Sequence, residues 1–246
     1  MHLTIVTGAS RGLGLALTEQ LLGNGHRVLA LARRTVDLPV PPAAELICWT
    51  VDLAAAAPVA QRLADWLSTQ DPRALQSATL INNAGVMPRP APLAQVPGEE
   101  IANALRVGLE APALLTAAFL RATAAWRLPL KVLLVSSGLG RRAMASSATY
   151  CAAKAGLDHL ARALALEEAA RPHGAAVVSI APGVIDTDMQ LQLRGADPAL
   201  FPEQSRFAEL KSAGQLDTPA TAATKLLRYL ARPDFGSQPV ADVRDA

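Results

Sequence analysis

The sequence predicts an α/β fold in which helices cover both faces of a single doubly wound parallel sheet of about seven strands. Three observations predict it. Short runs rich in β-branched residues and leucine alternate with longer stretches whose apolar residues recur at helical spacing. The 246 residues are 51% apolar, which is enough to bury a large core. No linker interrupts the alternation, so we expect one domain over residues 1–246.

The strands are predicted from apolar runs too short for helices and continuous enough to be buried on both faces. They cover residues 3–7, 27–32, 45–50, 78–82, 131–136 and 176–181, with a short last strand at 239–243. The helices are predicted where apolar residues follow the helical repeat. They cover residues 13–24, 58–69, 99–126, 148–170 and 219–231.

Two segments interrupt this pattern. Residues 34–44 contain Pro39, Pro41 and Pro42, so we expect the crossover helix between the second and third strands to be shortened or missing. Residues 184–216 mix glycine and proline with a short helical stretch at 203–211. Because this second segment follows the sixth strand, it is a candidate lid over a site at the strand ends.

Composition excludes several functional classes. The 23 basic residues nearly balance the 21 acidic ones and aromatic residues make up 4%, which argues against a nucleic-acid surface. The apolar runs are too short for a membrane helix, so we expect a cytoplasmic protein with no membrane partner. Two cysteines and four scattered histidines show no ligand spacing, so no metal site is expected.

A glycine-rich loop follows the first strand and opens the first helix. Gly8, Gly12 and Gly14 allow a tight turn and let a pyrophosphate approach the helix N-terminus, where free N–H groups favour anions. An ordinary strand-to-helix turn is the alternative reading. The position of the loop at the start of an α/β chain favours nucleotide binding and a Rossmann-type sheet.

The end of the second strand selects the cofactor. An NAD enzyme commonly places an acidic residue there, whereas this chain has Ala32 followed by Arg33 and Arg34, with Arg11 in the glycine loop. Guanidinium groups bind a 2′-phosphate, which predicts NADPH or NADP⁺. Solvated loop charges are the alternative, more plausible for Arg34. Asp52 after the third strand either accepts from the adenine amino group or caps the next helix.

Three residues form a candidate catalytic set. Ser137 ends the fifth strand, and Tyr150 and Lys154 lie four positions apart on one face of a predicted helix. An adjacent ammonium is expected to lower the pKa of the tyrosine, which makes Tyr150 a candidate general acid. Ser137 can donate to the carbonyl oxygen as charge develops there, and Lys154 can also hold a ribose. Taken singly, each residue has a structural explanation; their joint spacing carries the prediction.

Five motifs in order resemble the short-chain dehydrogenase/reductase family over nearly the whole chain: residues 7–14, 52–53, 82–85, the Ser137/Tyr150/Lys154 set and 182–187. The resemblance implies a homodimer or homotetramer and a contact from Thr187 to the nicotinamide carboxamide, with the backbone of Ile185 beside it. The residues expected to bind the cofactor are Gly8, Ser10, Arg11, Gly12, Leu13, Gly14, Arg33, Asp52, Leu53, Asn83, Ala84, Gly85, Tyr150, Lys154, Pro182, Gly183, Ile185 and Thr187.

The C-terminal third is more specifically similar to sepiapterin reductases and bacterial benzil reductases, through residues 181–190, 207–216 and the acidic ending. That similarity implies NADPH-dependent reduction of a small ketone or vicinal dicarbonyl. In sepiapterin reductases a carboxylate near the C-terminus anchors the substrate, and Asp242 falls at that place, although it equally suits the end of the last strand. The expected substrate residues are Leu139, Met144, Met189 and Asp242.

One position departs from the family pattern. Gly108 stands where the family usually has an asparagine that supports a water held by the lysine. Asn103 is five positions away, roughly 140° around an α-helix, and cannot simply replace it. Either an extra water fills the gap or proton relay is impaired.

The leading hypothesis is therefore an NADPH-dependent carbonyl reductase acting on a small-molecule carbonyl substrate. A ketoacyl thioester or a steroid-like substrate is the alternative within the same chemistry. A non-catalytic NADP-binding sensor, suggested by Gly108, is the alternative outside it, and the intact serine, tyrosine and lysine set argues against it.

Overall fold

The computed structural model describes residues 1–245 and contains one seven-stranded sheet in which all neighbouring strands are parallel. Its order, β3-β2-β1-β4-β5-β6-β7, confirms the doubly wound fold expected from the sequence. The strands are β1 (His2–Thr7), β2 (Arg27–Ala32), β3 (Glu45–Thr50), β4 (Ser77–Asn82), β5 (Leu130–Val135), β6 (Ala176–Ala181) and β7 (Val240–Asp242).

Helices cover both faces of the sheet, which explains the continuous apolar strands. Leu3 and Ile5 of β1 pack into one core cluster and Val6 packs into the cluster on the opposite face. The helices are α1 (Gly12–Gly23), α2 (Ala56–Ser68), α3 (Gly98–Leu105), α4 (Ala111–Ala122), α5 (Ala148–Ala169), α6 (Asp188–Arg194), α7 (Gln204–Ser212) and α8 (Pro219–Leu230). Helices α2, α4 and α5 cover the first face, and α1 and α8 the second.

The prediction of a single helix over residues 99–126 is wrong, because the structure divides this segment into three parts. Helix α3 passes into a π-helical turn, Arg106–Glu110, and α4 follows it and ends at Ala122. Pro112 explains the division, since proline has no N–H to donate to the carbonyl of Gly108 and its ring crowds that carbonyl. The π turn holds Gly108 against α5, where a Cβ on Gly108 would lie 3.2 Å from the Cβ of Ala153.

The segment after β6 forms two helices rather than the one expected. Helix α7 confirms the predicted stretch at 203–211 to within a residue, and α6 was not predicted. The two ends of the segment are hydrogen-bonded to each other: the Asp186 N–H donates to the Asp217 carbonyl (2.9 Å), and the Asp217 N–H donates to the Val184 carbonyl (2.9 Å). Residues 184–216 therefore begin and end at one place, shortly after the end of β6.

The remaining connections agree with the sequence. No helix lies between β2 and β3 in residues 33–44, as the three prolines indicate. Strand β7 is shorter than the expected 239–243. No helix within residues 1–245 combines the length and hydrophobicity needed to cross a membrane.

Candidate functional site

Two adjoining cavities lie at the carboxyl ends of the strands, the edge at which doubly wound sheets bind ligands. The glycine-loop cavity, about 420 Å³, is lined by the loop after β1 and the ends of β2, β3 and β4. The tyrosine cavity, about 330 Å³, is lined by the ends of β5 and β6, by α5 and by the segment after β6. The cavities share five lining residues, so they form one continuous site: Leu13, Asn83, Gly85, Thr187 and Met189.

The glycine loop needs its glycines for close approach. Gly8 and Gly12 have φ values of +69° and +51°, in the left-handed region that favours glycine. A Cβ on Gly14 would overlap the Gly8 carbonyl oxygen and the Asn83 side chain. The loop therefore presents bare backbone to the cavity at the start of α1, where the helix dipole favours an anion.

The segment after β4 holds this loop in place. The Thr7 hydroxyl accepts hydrogen bonds from the backbone N–H groups of Asn83 and Ala84, each at 3.0 Å. The Asn83 Nδ2 donates in return to the Thr7 carbonyl at 3.0 Å. Two neighbouring strand ends are thereby fixed relative to each other beneath the cavity.

The residue that follows β2 in the lining of the glycine-loop cavity is cationic, not acidic. Arg11 and Arg33 line it, whereas Arg34 does not. The Arg11 Nη1 donates to the Asp188 Oδ2 at 2.7 Å in an exposed pair, which is easily exchanged for a ligand. Asp52 lines the cavity and also accepts from the Ala54 N–H at 2.9 Å, so it caps the turn that follows β3.

Every residue expected to bind the cofactor lines one of the two cavities. The glycine-loop cavity contains Gly8, Ser10, Arg11, Gly12, Leu13, Gly14, Arg33, Asp52, Leu53, Asn83, Ala84, Gly85 and Thr187. The tyrosine cavity adds Tyr150, Lys154, Pro182, Gly183 and Ile185.

The three candidate catalytic residues converge on the tyrosine cavity. Ser137 lies two residues after the end of β5, and its Oγ accepts from the Leu139 N–H at 3.2 Å, which fixes the side chain at the start of a 3₁₀ turn. Tyr150 and Lys154 lie one turn apart on α5 and both are buried. The Lys154 Nζ lies 5.5 Å from the centre of the Tyr150 ring.

The electrostatics of the pair differ from the sequence-based expectation. Burial raises the pKa of Tyr150 to about 12, and a hydrogen bond with Ser137 only partly opposes that rise. Burial also lowers the pKa of Lys154 to about 8, and the Nζ donates to the Val135 carbonyl at 2.7 Å. The prediction that the ammonium lowers the pKa of Tyr150 is wrong, because desolvation of the phenolate dominates.

The four residues expected to contact the substrate separate into two pairs. Leu139 and Met189 line the tyrosine cavity. Met144 is buried among Leu193 and Phe201 and does not line it.

Asp242 also lies outside the tyrosine cavity. Its Oδ1 accepts from the Arg244 Nε at 2.8 Å and its Oδ2 accepts from the Arg244 Nη2 at 2.6 Å. Arg244 lines the cavity in its place. The carboxylate thus does not face the cavity, and it orients the arginine that does.

Several lining residues of the tyrosine cavity were not predicted, namely Arg142, Gln190, Arg206, Phe207 and Arg244. Gln190 is 5% exposed, and its Oε1 has no partner within residues 1–245. The helical spacing of 206, 207 and 210 could have indicated the cavity-facing side of α7. No pattern in the sequence indicated the other residues.

The departure at Gly108 has a different geometry from the one expected. Gly108 is buried and lines neither cavity, whereas Asn103 and Val107 line the glycine-loop cavity. The α-helical angle used to separate Asn103 from Gly108 does not apply, because Gly108 lies within the π turn that follows α3.

Comparison with known proteins agrees with this geometry. Residues 2–197 match the family model described as short chain dehydrogenase. The chain is 30% identical to benzil reductase ((S)-benzoin forming) of Bacillus cereus, with 96% of each chain covered. It is 33% identical to sepiapterin reductase of Rattus norvegicus, over 98% of this chain and 95% of the relative.

A solved structure agrees over the whole length. The crystal structure of a short-chain dehydrogenase/reductase from Burkholderia vietnamiensis is 34% identical, with a TM-score of 0.62 over 100% of this chain and 99% of the other. These matches confirm the resemblance found in the motifs. The chain therefore belongs to the short chain dehydrogenase family and is an oxidoreductase acting on carbonyl or hydroxyl groups.

Proposed function

We propose that the protein is an NADPH-dependent reductase of a small ketone or vicinal dicarbonyl, with Tyr150 as general acid. The observation that carries the proposal is the convergence of Ser137, Tyr150 and Lys154 on a cavity continuous with the glycine loop. When bound, the nicotinamide supplies the hydride. The relatives named benzil reductase and sepiapterin reductase support a carbonyl substrate.

The residues present fit a dinucleotide with a 2′-phosphate. The glycine loop packs against the segment after β4 at Gly8 and Gly14, which leaves its backbone facing the cavity, and Ser10 lies in the same cavity. Arg33 offers guanidinium donors at the end of β2, where an acidic residue would repel a phosphate, and Arg11 offers further donors in the same cavity beside Asp188. Thr187 lies where the two cavities meet, which suits its expected contact with the carboxamide.

The protonation states suit reduction. A tyrosine with a pKa of about 12 keeps its proton near neutral pH and can give it to the developing alkoxide. Ser137 polarises the same oxygen, and Lys154 is placed beside the ring with donors left for a ribose.

The burial of Tyr150 beside Lys154 bears on the alternative of a non-catalytic sensor. Burial of a tyrosine and a lysine side by side costs stability, which a non-catalytic sensor would have no need to bear.

The experiment is to measure NADPH oxidation with benzil, sepiapterin and a ketoacyl thioester, together with NADPH binding. We expect turnover with at least one of the first two. Binding of NADPH without turnover of any substrate would favour the sensor. The mass of the protein in solution tests the proposed homodimer or homotetramer in the same preparation.

A further inference from the structure

The tyrosine cavity carries positive charge that reduction of a neutral carbonyl does not use. Besides Lys154, its charged lining residues are Arg142, Arg206 and Arg244, and no carboxylate from residues 1–245 lines it. We propose that the substrate bears an oxyanion, a carboxylate or a phosphate monoester, at a distance from its carbonyl and bound by these three arginines. The inference rests on the proposed function of the same site.

The arginines reach the cavity from three separate parts of the chain. Arg142 follows the 3₁₀ turn that begins after Ser137, Arg206 lies on α7, and Arg244 follows β7. Convergence of three guanidinium groups without an intervening carboxylate creates a positive potential that favours an anion.

Two of the guanidinium groups are oriented by carboxylates that stand outside the cavity. Arg244 uses its Nε and Nη2 for Asp242, which leaves its Nη1 available. Arg206 uses its Nη1 for Glu203 at 3.0 Å, which leaves its Nε and Nη2. The carboxylates therefore position the arginines without consuming all their donors.

Arg142 differs from the other two in its partners. All three arginines are exposed, but within residues 1–245 no carboxylate pairs with the Arg142 side chain. It thus contributes a full positive charge to the cavity. A guanidinium forms paired hydrogen bonds with a carboxylate or a phosphate, which gives affinity and orientation together.

The cofactor does not account for these arginines. The expected pyrophosphate and 2′-phosphate contacts lie in the glycine-loop cavity, and Arg142, Arg206 and Arg244 do not line that cavity. Apolar side chains, including Leu139 and Phe207, line the same cavity and suit an apolar body that separates the carbonyl from the anion.

The test compares benzil with 4-carboxybenzil and benzil 4-phosphate, in which the anion is remote from the reacting carbonyls. Binding to the protein saturated with NADP⁺ is measured by calorimetry, and kcat/KM is measured with NADPH. We expect at least one anionic probe to bind about tenfold more tightly than benzil, the effect of one charge-assisted hydrogen bond. The tighter anion identifies the oxyanion class. About 0.5 M NaCl should reduce this preference, since salt screens it.

Variants assign the preference to the cavity. Arg142→Gln should remove most of it, whereas Arg228→Gln, the same charge change on an exposed face of α8, should preserve it. Equal binding of all three probes, no binding of either anion, or a preference that survives Arg142→Gln, Arg206→Gln and Arg244→Gln would overturn the inference. Reduction of benzil without an anion preference would leave the proposed reductase intact, and tight anion binding without NADPH oxidation would contradict the reductase alone.

Discussion

Arg33 and Arg34 are neighbours in the sequence, and only Arg33 lines the glycine-loop cavity. Arg33→Asp should weaken NADPH binding by at least ~1.5 kcal/mol, the lower value for a charged hydrogen bond, and should spare NADH binding. Arg34→Asp is the matched control, with the same charge change outside the cavity. Titration of both cofactors by fluorescence measures the effect. Equal affinities of the unmodified protein for NADPH and NADH would contradict the proposed cofactor.

Tyr150 is one of two tyrosines in the chain, and the other supplies a control. Tyr150→Phe removes only the hydroxyl, so we expect kcat to fall by ~10² or more with NADPH binding unchanged. Tyr229 packs edge-on against Phe235 in the core on the face of the sheet that α1 and α8 cover, so Tyr229→Phe should leave kcat unchanged. Near-normal turnover by the Tyr150→Phe enzyme would rule out tyrosine as the acid.

At the scale of elements, the π turn packs closely against α5 at Gly108 and Ala153. Gly108→Ala would place a Cβ 3.2 Å from that of Ala153, so we expect a loss of ~1 kcal/mol or more in unfolding free energy. The double variant Gly108→Ala/Ala153→Gly should recover part of that loss, which a chemical denaturation cycle would show.

Gly23 at the end of α1 is the matched control, because a Cβ there meets no atom within 4 Å. Gly23→Ala should be neutral or stabilising by up to ~1 kcal/mol. Full tolerance of Gly108→Ala would show that the contact between the π turn and α5 relaxes without cost. A clash at this position also means that Gly108→Asn should lower stability rather than restore a proton path.

The elements differ in how far the sequence could predict them. The five inner strands, β1, β2, β4, β5 and β6, are buried on both faces, so their apolar runs begin and end within about a residue of the hydrogen-bonded strands. The break at the π turn depends on one missing N–H at Pro112 inside an otherwise helical pattern. Helix α6 spans only 7 residues, too few for a helical period to stand out.

The residues of the candidate site also differ in how far the sequence could predict them. Glycines and the Ser137/Tyr150/Lys154 spacing were visible because each lies within one local segment. The presence of Arg142, Arg206 and Arg244 around one cavity depends on how distant segments of the chain fold over it. Pattern within a segment carries no information about such encounters.

For the molecule as a whole, the buried Lys154 makes stability depend on pH. Its pKa falls from 10.5 when unfolded to about 8 when folded, so between these pH values the unfolded chain binds more protons and stability rises with pH. We therefore expect the unfolding free energy to increase from about pH 8 towards pH 10, and Lys154→Met to remove that increase. Burial of Tyr150 reverses the trend above pH 10, because its proton is bound more tightly in the folded state.

Urea unfolding at several pH values measures this dependence. Lys211→Met changes an exposed lysine that pairs with Asp186 and should retain the increase above pH 8. An increase that persists in Lys154→Met would assign the effect to other groups.

The two ends of residues 184–216 are hydrogen-bonded to each other, which affects how proteins of this fold can diversify. The Asp186–Asp217 and Asp217–Val184 hydrogen bonds bring the two ends of the segment together, with α6 and α7 in the chain between them. Because the two ends are joined, the intervening chain can change in length and composition at small entropic cost while the sheet and the candidate catalytic residues keep their positions. We therefore expect that exchanging residues 184–216 between relatives transfers substrate choice and leaves hydride transfer a property of the recipient protein.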